Sequence, residues 1–304
     1  MLHGSGKSSC SIANALGVTV LSDVDSIYKR MECCHVVVGS AEEKGKILMA
    51  KILLHGFLGK MGQTVLRLAD ESPNCEVVAG VDINLQSAIN PFPAYTDISD
   101  CDMIPDVIID FTDATAMPGL LEYALKHNIP TVICTTGLKT SMVKKIEAAA
   151  TQIPIFRSAN MSFGVNLISV ILKKISKPLY ENDFDIEIVE KHHRQKIDSP
   201  SGTAFLLADS INDGLDSKFE YIYDRLGTLK PRGDKEIGIQ AIRGGGIIGD
   251  HSVIFASPTE TIEISHSAIT RDIFAVGALN AALFLKDKNA GLYKMEHLIE
   301  EQFM

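Results

Sequence analysis

Lys51-Ile52-Leu53-Leu54-His55-Gly56-Phe57-Leu58-Gly59-Lys60-Met61-Gly62 begins as a short apolar run and breaks into glycines spaced G-x-x-G-x-x-G. A helical pattern takes over at Lys60 and continues to about Asp70. A strand, a glycine turn and a helix in that order make an anion site. Unpaired amides at the helix start point outward and the helix dipole adds partial positive charge. Glycines let phosphates approach the backbone and let helix and strand pack closely. The spacing is one residue longer than the usual G-x-G-x-x-G, but Asp82 ends the next apolar run roughly 20 residues after Gly62, where a carboxylate can accept both ribose hydroxyls of a dinucleotide. Asp82 would repel a 2′-phosphate, and Ile83-Asn84 follow it where an arginine would be wanted. NADH is therefore favoured, with NADPH left open because Lys60 can partly compensate.

The same rhythm continues outward. Glu76–Asp82 (EVVAGVD), Asp106–Thr112 (DVIIDFT), Pro130–Cys134 (PTVIC) and Ile153–Phe156 read as further strands. Helical patterns occupy Ala114–Asn128 and Ser141–Thr151, with Ser141 as the expected cap of the latter. Runs apolar on both faces and alternating with helices predict a Rossmann-like, doubly wound parallel sheet. Beyond a helix at Val165–Ile175 the pattern changes. Strands at Asp185–Glu190 and Ile237–Arg243 are joined by Ser252–Phe255 and Thr261–Ser265, the last two alternating apolar with polar residues, as in a sheet with one exposed face. A helix at Thr203–Ile211, an apolar one at Ile273–Leu285 and a short one near the C-terminus complete the reading. The fold class is α/β: a doubly wound domain and a second α+β domain with an open mixed sheet.

The densest chemistry is Glu190-Lys191-His192-His193-Arg194-Gln195-Lys196-Ile197-Asp198-Ser199-Pro200-Ser201-Gly202-Thr203, which leaves a strand, crosses a loop and enters a helix. Ser201, Gly202 and Thr203 open that helix with hydroxyl and amide donors suited to a carboxylate. Cations at one end of the loop and a helix start at the other suit a small dicarboxylate, and histidine with lysine can supply the proton that follows a hydride. No Cys or acid near the paired histidines has credible metal-ligand spacing, so no metal is expected. Cys134-Thr135-Thr136-Gly137 lies at the carboxyl edge of a strand and can line a nicotinamide pocket. A nucleophilic Cys134 is the rival reading, but no base can be assigned to it. Ser158-Ala159-Asn160-Met161-Ser162-Phe163-Gly164 falls where the two halves meet, with Asn160 able to bond a carboxamide.

Composition narrows the function classes. The 304 residues carry 29 basic and 38 acidic side chains, a formal net charge of −9, which argues against nucleic acid as partner. Phe274–Leu285 is the most apolar stretch and is too short for a membrane span. The six cysteines form no C-x-x-C pair, which points to a reducing, cytoplasmic setting, and vicinal Cys33-Cys34 reads as incidental. Residues 1–48 lack the strand-helix rhythm. Their Gly4-Ser5-Gly6-Lys7-Ser8-Ser9 imitates the end of a P-loop without the upstream glycine and strand that motif needs. The alternative to a cytoplasmic setting is an organelle, with this Ser-rich head as transit peptide.

From Met49 to near the C-terminus the chain resembles the 4-hydroxy-tetrahydrodipicolinate reductase (dihydrodipicolinate reductase) family of diaminopimelate and lysine synthesis. The H-H-x-x-K-x-D-x-P-S-G-T-A run from His192 to Ala204 is the most specific piece, supported by Gly56–Gly62, Asp110-Phe111-Thr112, Thr135-Thr136-Gly137, Ser158–Asn166 and Arg243-Gly244-Gly245 to His251. Cys134, Ser199 and Met161 depart from the common pattern and bear on local packing. The resemblance implies that His192 is proton donor or acceptor and Lys196 proton donor, with His193, Ser201, Gly202 and Thr203 holding a small cyclic dicarboxylate. It implies cofactor contacts from Gly56, Phe57, Leu58, Gly59, Lys60, Met61, Asp82, Phe111, Thr112, Cys134, Thr135, Thr136, Ala159, Asn160, Met161 and Ser162. It implies a homotetramer formed through the second sheet. The organisation it implies is an extension of unknown role (1–48), a dinucleotide-binding domain (49–162, with 271–304 returning to it) and a substrate-binding and oligomerisation domain (163–270). The rivals are another two-domain dehydrogenase of amino-acid metabolism and a non-enzymatic NADH-responsive regulator.

Residues 1–48 carry five basic and five acidic side chains, so the net charge belongs to the remainder. A chain beginning at Met49 is expected to fold and to oxidise NADH as fast as the full chain. Slower turnover would assign the extension a role.

Overall fold

The computed structural model describes residues 49–85, 90–227 and 229–303. The P-loop-like Gly4–Ser9 and the Cys33-Cys34 pair lie outside them. The chain runs β1 (Ala50–His55), α1 (Lys60–Asp70), β2 (Cys75–Val81), β3 (Ala94–Tyr95), β4 (Val107–Asp110), α2 (Met117–His127), β5 (Thr131–Ile133), α3 (Thr140–Ala149) and β6 (Pro154–Arg157). It continues through α4 (Phe163–Tyr180), β7 (Asp185–His192), α5 (Gly202–Gly214), β8 (Glu220–Ile222), β9 (Glu236–Arg243), β10 (Asp250–Ala256) and β11 (Thr261–Ser267). It ends with α6 (Asp272–Leu285), β12 (Gly291–Tyr293) and α7 (Met295–Phe303).

Seven parallel strands form the first sheet in the order β12-β6-β5-β4-β1-β2-β3. The double winding is visible within β1 itself. Ile52 and Leu54 pack with Val65 and Ala69 of α1 and Ala278 and Ala282 of α6, whereas Leu53 packs with Leu120 and Ala124 of α2 and Ile146 of α3. Alternate side chains of one strand thus enter opposite helical layers, and both faces must be apolar. Order reverses around β1, so its carboxyl end lies at the switch point where open α/β sheets bind ligands.

The second sheet is mixed, β11-β10-β7-β9-β8, with β7, β9 and β8 mutually parallel and β10 and β11 antiparallel. One face packs Ile186, Ile188, Val253 and Phe255 against Leu207, Ala208 and Ile211 of α5 and Leu172 of α4. The other face is polar and carries Arg225 paired to Glu187 and Glu236.

Several boundaries differ from the sequence reading, for local reasons. Helix α2 starts later than Ala114 because the Asp113 carboxylate takes the Thr115 amide in a turn, and it stops at Asn128, a left-handed cap with φ 55°. Ser141 is not a cap: α3 starts one residue earlier after Lys139, with no side-chain cap. Helix α4 runs on past Ile175, and the Ser176 hydroxyl donates to Leu172 O. Strands β3, β8 and β12 have two or three residues each, too short to carry a readable period. Among the described residues no helix is long and apolar enough to cross a membrane.

Gly277 of α6 lies on the carbonyl of Met161, and a Cβ there would sit 1.7 Å from that oxygen. In an exposed helix a glycine-to-alanine change gains about 1 kcal/mol. Here the overlap falls on backbone and outweighs that gain. Gly277→Ala is expected to lower the unfolding free energy by about 2 kcal/mol, read from the denaturant midpoint, and an unchanged midpoint would contradict the packing.

Candidate active site

The cofactor side begins at Gly56, whose φ of +84° only glycine adopts freely and whose Cβ would touch Phe111 O at 2.9 Å. Gly62 is glycine for space: a Cβ would lie 2.3 Å from Gly56 O. Helix α1 starts at Gly59 with no side-chain cap and no acid in its first turn. Its leading amides are left for an anion, so the residues present fit a pyrophosphate. Asp82, buried, accepts from the Leu58 amide (3.0 Å) and the Asn84 amide (2.9 Å), so the carboxylate sets the loop's shape. Each oxygen keeps a second lone pair for a ribose hydroxyl.

The remaining rim residues gather at the carboxyl ends of β4 and β5. Asp110 is wholly buried and accepts from Thr112 Oγ1 (2.6 Å) and Thr135 Oγ1 (2.5 Å), with His55 Nδ1 at 3.0 Å. Sequence reasoning gave neither Asp110 nor His55 a role, although each is the last residue of an apolar strand at the switch point. Burial, then the charge of Asp110, pushes the Cys134 thiol well above its ordinary value, which opposes a thiolate nucleophile. Phe57 is buried edge-on against Phe92, and Met161 and Ser162 are also buried, Ser162 capping α4 at Val165 N. Asn160 accepts from Ser162 N (2.8 Å) and donates to Thr203 Oγ1 (3.0 Å), tying the cofactor segment to the start of α5.

Beside the loop that follows β7, a cavity of about 370 Å³ is lined by His193, Arg194, Gln195, Gly245, Gly246, Ile248 and Arg271. His192, Lys196 and Ser201–Thr203 do not form its walls. Lys196 Nζ is paired with Asp198 at 2.8 Å. His192, at the end of β7, is buried and belongs to a polar network centred on Glu190. That carboxylate accepts from His192 Nδ1 (2.6 Å), Ser201 N (3.0 Å) and both terminal nitrogens of Arg243 (2.7 Å each). Burial works to raise the Glu190 carboxyl, but the hydrogen bonds from Arg243 and His192 outweigh it and hold it below its ordinary range. Ser201 Oγ accepts from Ala204 N as the cap of α5 and shares a hydrogen bond of 2.8 Å with His251 Nε2. Burial first, then the nearby His192, lowers His251 to about 4. Glu190, Arg243 and His251 had no assigned role in the sequence, and the legible sign was phase, because Glu190 shares the apolar phase of Ile186 and Ile188. Among the described residues no group of three or more His, Cys, Asp or Glu could hold a metal ion.

The profile described as "Dihydrodipicolinate reductase, N-terminus" matches residues 50–161 and the one described as "Dihydrodipicolinate reductase, C-terminus" matches 164–299. A 4-hydroxy-tetrahydrodipicolinate reductase of Caldanaerobacter subterraneus subsp. tengcongensis is 50% identical over 254 residues, covering 84% of this chain and 100% of that protein. One from Clostridium tetani is 49% identical over 252 residues, covering 83% and 98%. Among solved structures, a dipicolinate-bound dihydrodipicolinate reductase from Paenisporosarcina sp. TG-14 shares the fold with TM-score 0.67 at 24% identity, over 82% of this chain and 99% of that one.

The neutral His251 makes the site acid-sensitive. Its folded value of about 4 lies below the ordinary 6.5, so between those limits the unfolded chain binds a proton that the folded chain refuses. Stability therefore falls as pH drops through that window, by about 3 kcal/mol at its lower end. His251→Gln is expected to flatten the loss in urea unfolding between pH 6.5 and 4. An equal loss in both proteins would contradict the assignment.

Proposed function

The chain belongs to the dihydrodipicolinate reductase family, and from that premise we propose how its two sheets divide the reaction. It is an NAD(P)H-dependent oxidoreductase that reduces 4-hydroxy-tetrahydrodipicolinate (dihydrodipicolinate) to tetrahydrodipicolinate in diaminopimelate and lysine synthesis. Residues 49–162 with 271–304 bind the dinucleotide, and 163–270 bind the substrate and carry the oligomer interface. The cofactor supplies the hydride when bound. Residues Gly56–Met61 and the start of α1 hold its pyrophosphate, and Asp82 takes the adenosine ribose. Phe111, Thr112, Cys134, Thr135, Thr136 and the Ala159–Ser162 segment border the nicotinamide end. Asp82 without a following arginine favours NADH over NADPH.

One substrate carboxylate docks on the Ser201-Gly202-Thr203 helix start, where the helix dipole and the leading donors of α5 stabilise it. His193 takes part in holding the dicarboxylate, at the wall of the cavity. Lys196 exchanges its Asp198 partner for the substrate and delivers a proton as hydride arrives, with His192 as the second proton-handling group. The observation that carries this reading is that His192, Ser201 and the rim of the cavity all lie at one end of β7 and α5, joined to the cofactor segment through Asn160 and Thr203. The enzyme works in the cytoplasm, in keeping with free Cys75, Cys101 and Cys134. It works as a homotetramer joined through the second sheet, whose edge strand β11 is, among the described residues, bonded on one side only, to β10.

Dihydronicotinamide oxidation with substrate generated from pyruvate and aspartate semialdehyde tests the reading. Lys196→Ala is expected to lower kcat by roughly 10²-fold or more while the Kd for NADH stays unchanged. Wild-type turnover in that variant would remove Lys196 from the chemistry.

A further inference from the structure

Strand β7 alternates, so Ile186, Ile188, Glu190 and His192 share its buried face. A carboxylate on an apolar face is costly unless it is fully bonded. Glu190 is fully bonded, by the Arg243 fork, the Ser201 amide and His192 Nδ1. An ionised carboxylate only accepts, so Nδ1 of His192 must carry the hydrogen that bridges them. The neutral ring then has a bare Nε2, and the charged ring carries its exchangeable proton there.

Gly249 bears on the same nitrogen. A Cβ on Gly249 would lie 3.0 Å from His192 Nε2. Its backbone is not among those with positive φ, so glycine is there for clearance rather than for conformation. The neighbouring His251 stands edge-on to His192 at 5.1 Å, but its Nε2 is occupied by Ser201.

Resting on the reading that His192 handles a proton and the α5 start holds a carboxylate, we infer that Glu190 is the positioning residue for both. It fixes the His192 tautomer so that Nε2 faces the reaction, and it pins the Ser201 amide so that proton and carboxylate sites keep one spacing. Glycine at 249 spares Nε2 the close contact a Cβ would make. The charged and titratable groups around the ring are Glu190 on β7, Arg243 on β9, His251 and Asp250 on β10, and His266 opposite His251 on β11. Of these, Glu190 alone is hydrogen-bonded to His192 among the described residues.

Glu190→Gln keeps the shape and removes the charge. Its amide can donate to Nδ1, which stabilises the opposite tautomer. The expected result is a kcat at least about 10²-fold lower, a His192 ring protonated on Nε2 by its imidazole ¹⁵N shifts, and an unchanged Kd for NADH. A purely structural Glu190 would lower stability and leave the tautomer in place. A folded Glu190→Gln with wild-type kcat and tautomer overturns the inference. Imidazole ¹⁵N shifts of the wild-type protein decide the matter if the variant does not fold, with the His192 signals identified by their loss in His192→Gln. Nδ1 protonated in the neutral ring is expected, and Nε2 protonated overturns it. His192→Gln also separates the two levels: if it turns over like wild type, the assignment of His192 fails. If it is impaired while Glu190→Gln is not, only the role of Glu190 fails.

Discussion

The buried carboxylate of Glu190, clasped by both terminal nitrogens of Arg243, is the constraint on which the second half of the molecule depends. Removing one partner of such a pair leaves an uncompensated buried charge and costs about 3–5 kcal/mol. Arg243 also donates to Asp198 O, so the same guanidinium fastens the basic loop to β9. One ion pair thus joins two parallel strands, the loop between β7 and α5, and the amide of Ser201, the cap of α5. A hydrophobic pair of similar volume could hold the strands, but it could neither orient an imidazole nor hold the Ser201 amide.

The first sheet solves a different problem by different means. Its strands are buried on both faces, which concentrates polar chemistry at their carboxyl ends. There the backbone is opened by Gly56 and Gly62 and tied down by two buried carboxylates, Asp82 and Asp110. The two halves are coupled through backbone and short side chains. Asn160 bonds Thr203, and Gly277 of the returning α6 lets the Met161 carbonyl settle against the helix. In the proposed division of labour, a hydride donor on one sheet and an acceptor on the other need a fixed separation, which these short contacts would supply.

Much of this was legible in the residues. Double-sided apolar runs gave the first sheet, single-sided alternation gave the second, and the glycine loop between β1 and α1 stands where its spacing placed it. The hidden parts share a physical cause. Strands of two or three residues have no period to read. Ser141 resembled a cap because propensity says nothing about which of two adjacent polar residues ends a turn. Glu190 ended a predicted strand and opened the charged stretch with no role assigned, although its phase with Ile188 already put it inside. Its partner Arg243 is distant in sequence and is brought alongside only by the parallel pairing of β7 with β9. Phe57 and Met161 sat in motif positions, and only three dimensions assign their side chains to the core.

The central claim is that a cofactor on the first sheet and a dicarboxylate on the second meet at the start of α5, under the control of His192. A crystal structure with NADH and pyridine-2,6-dicarboxylate measures this directly. The expected result has one carboxylate at the Gly202 and Thr203 amides, the ring facing the nicotinamide, and both His192 Nδ1 and the Ser201 amide still on Glu190, with Nε2 open to the ligand. A dicarboxylate bound away from α5, or His192 turned so that Nε2 meets Glu190, would contradict the account.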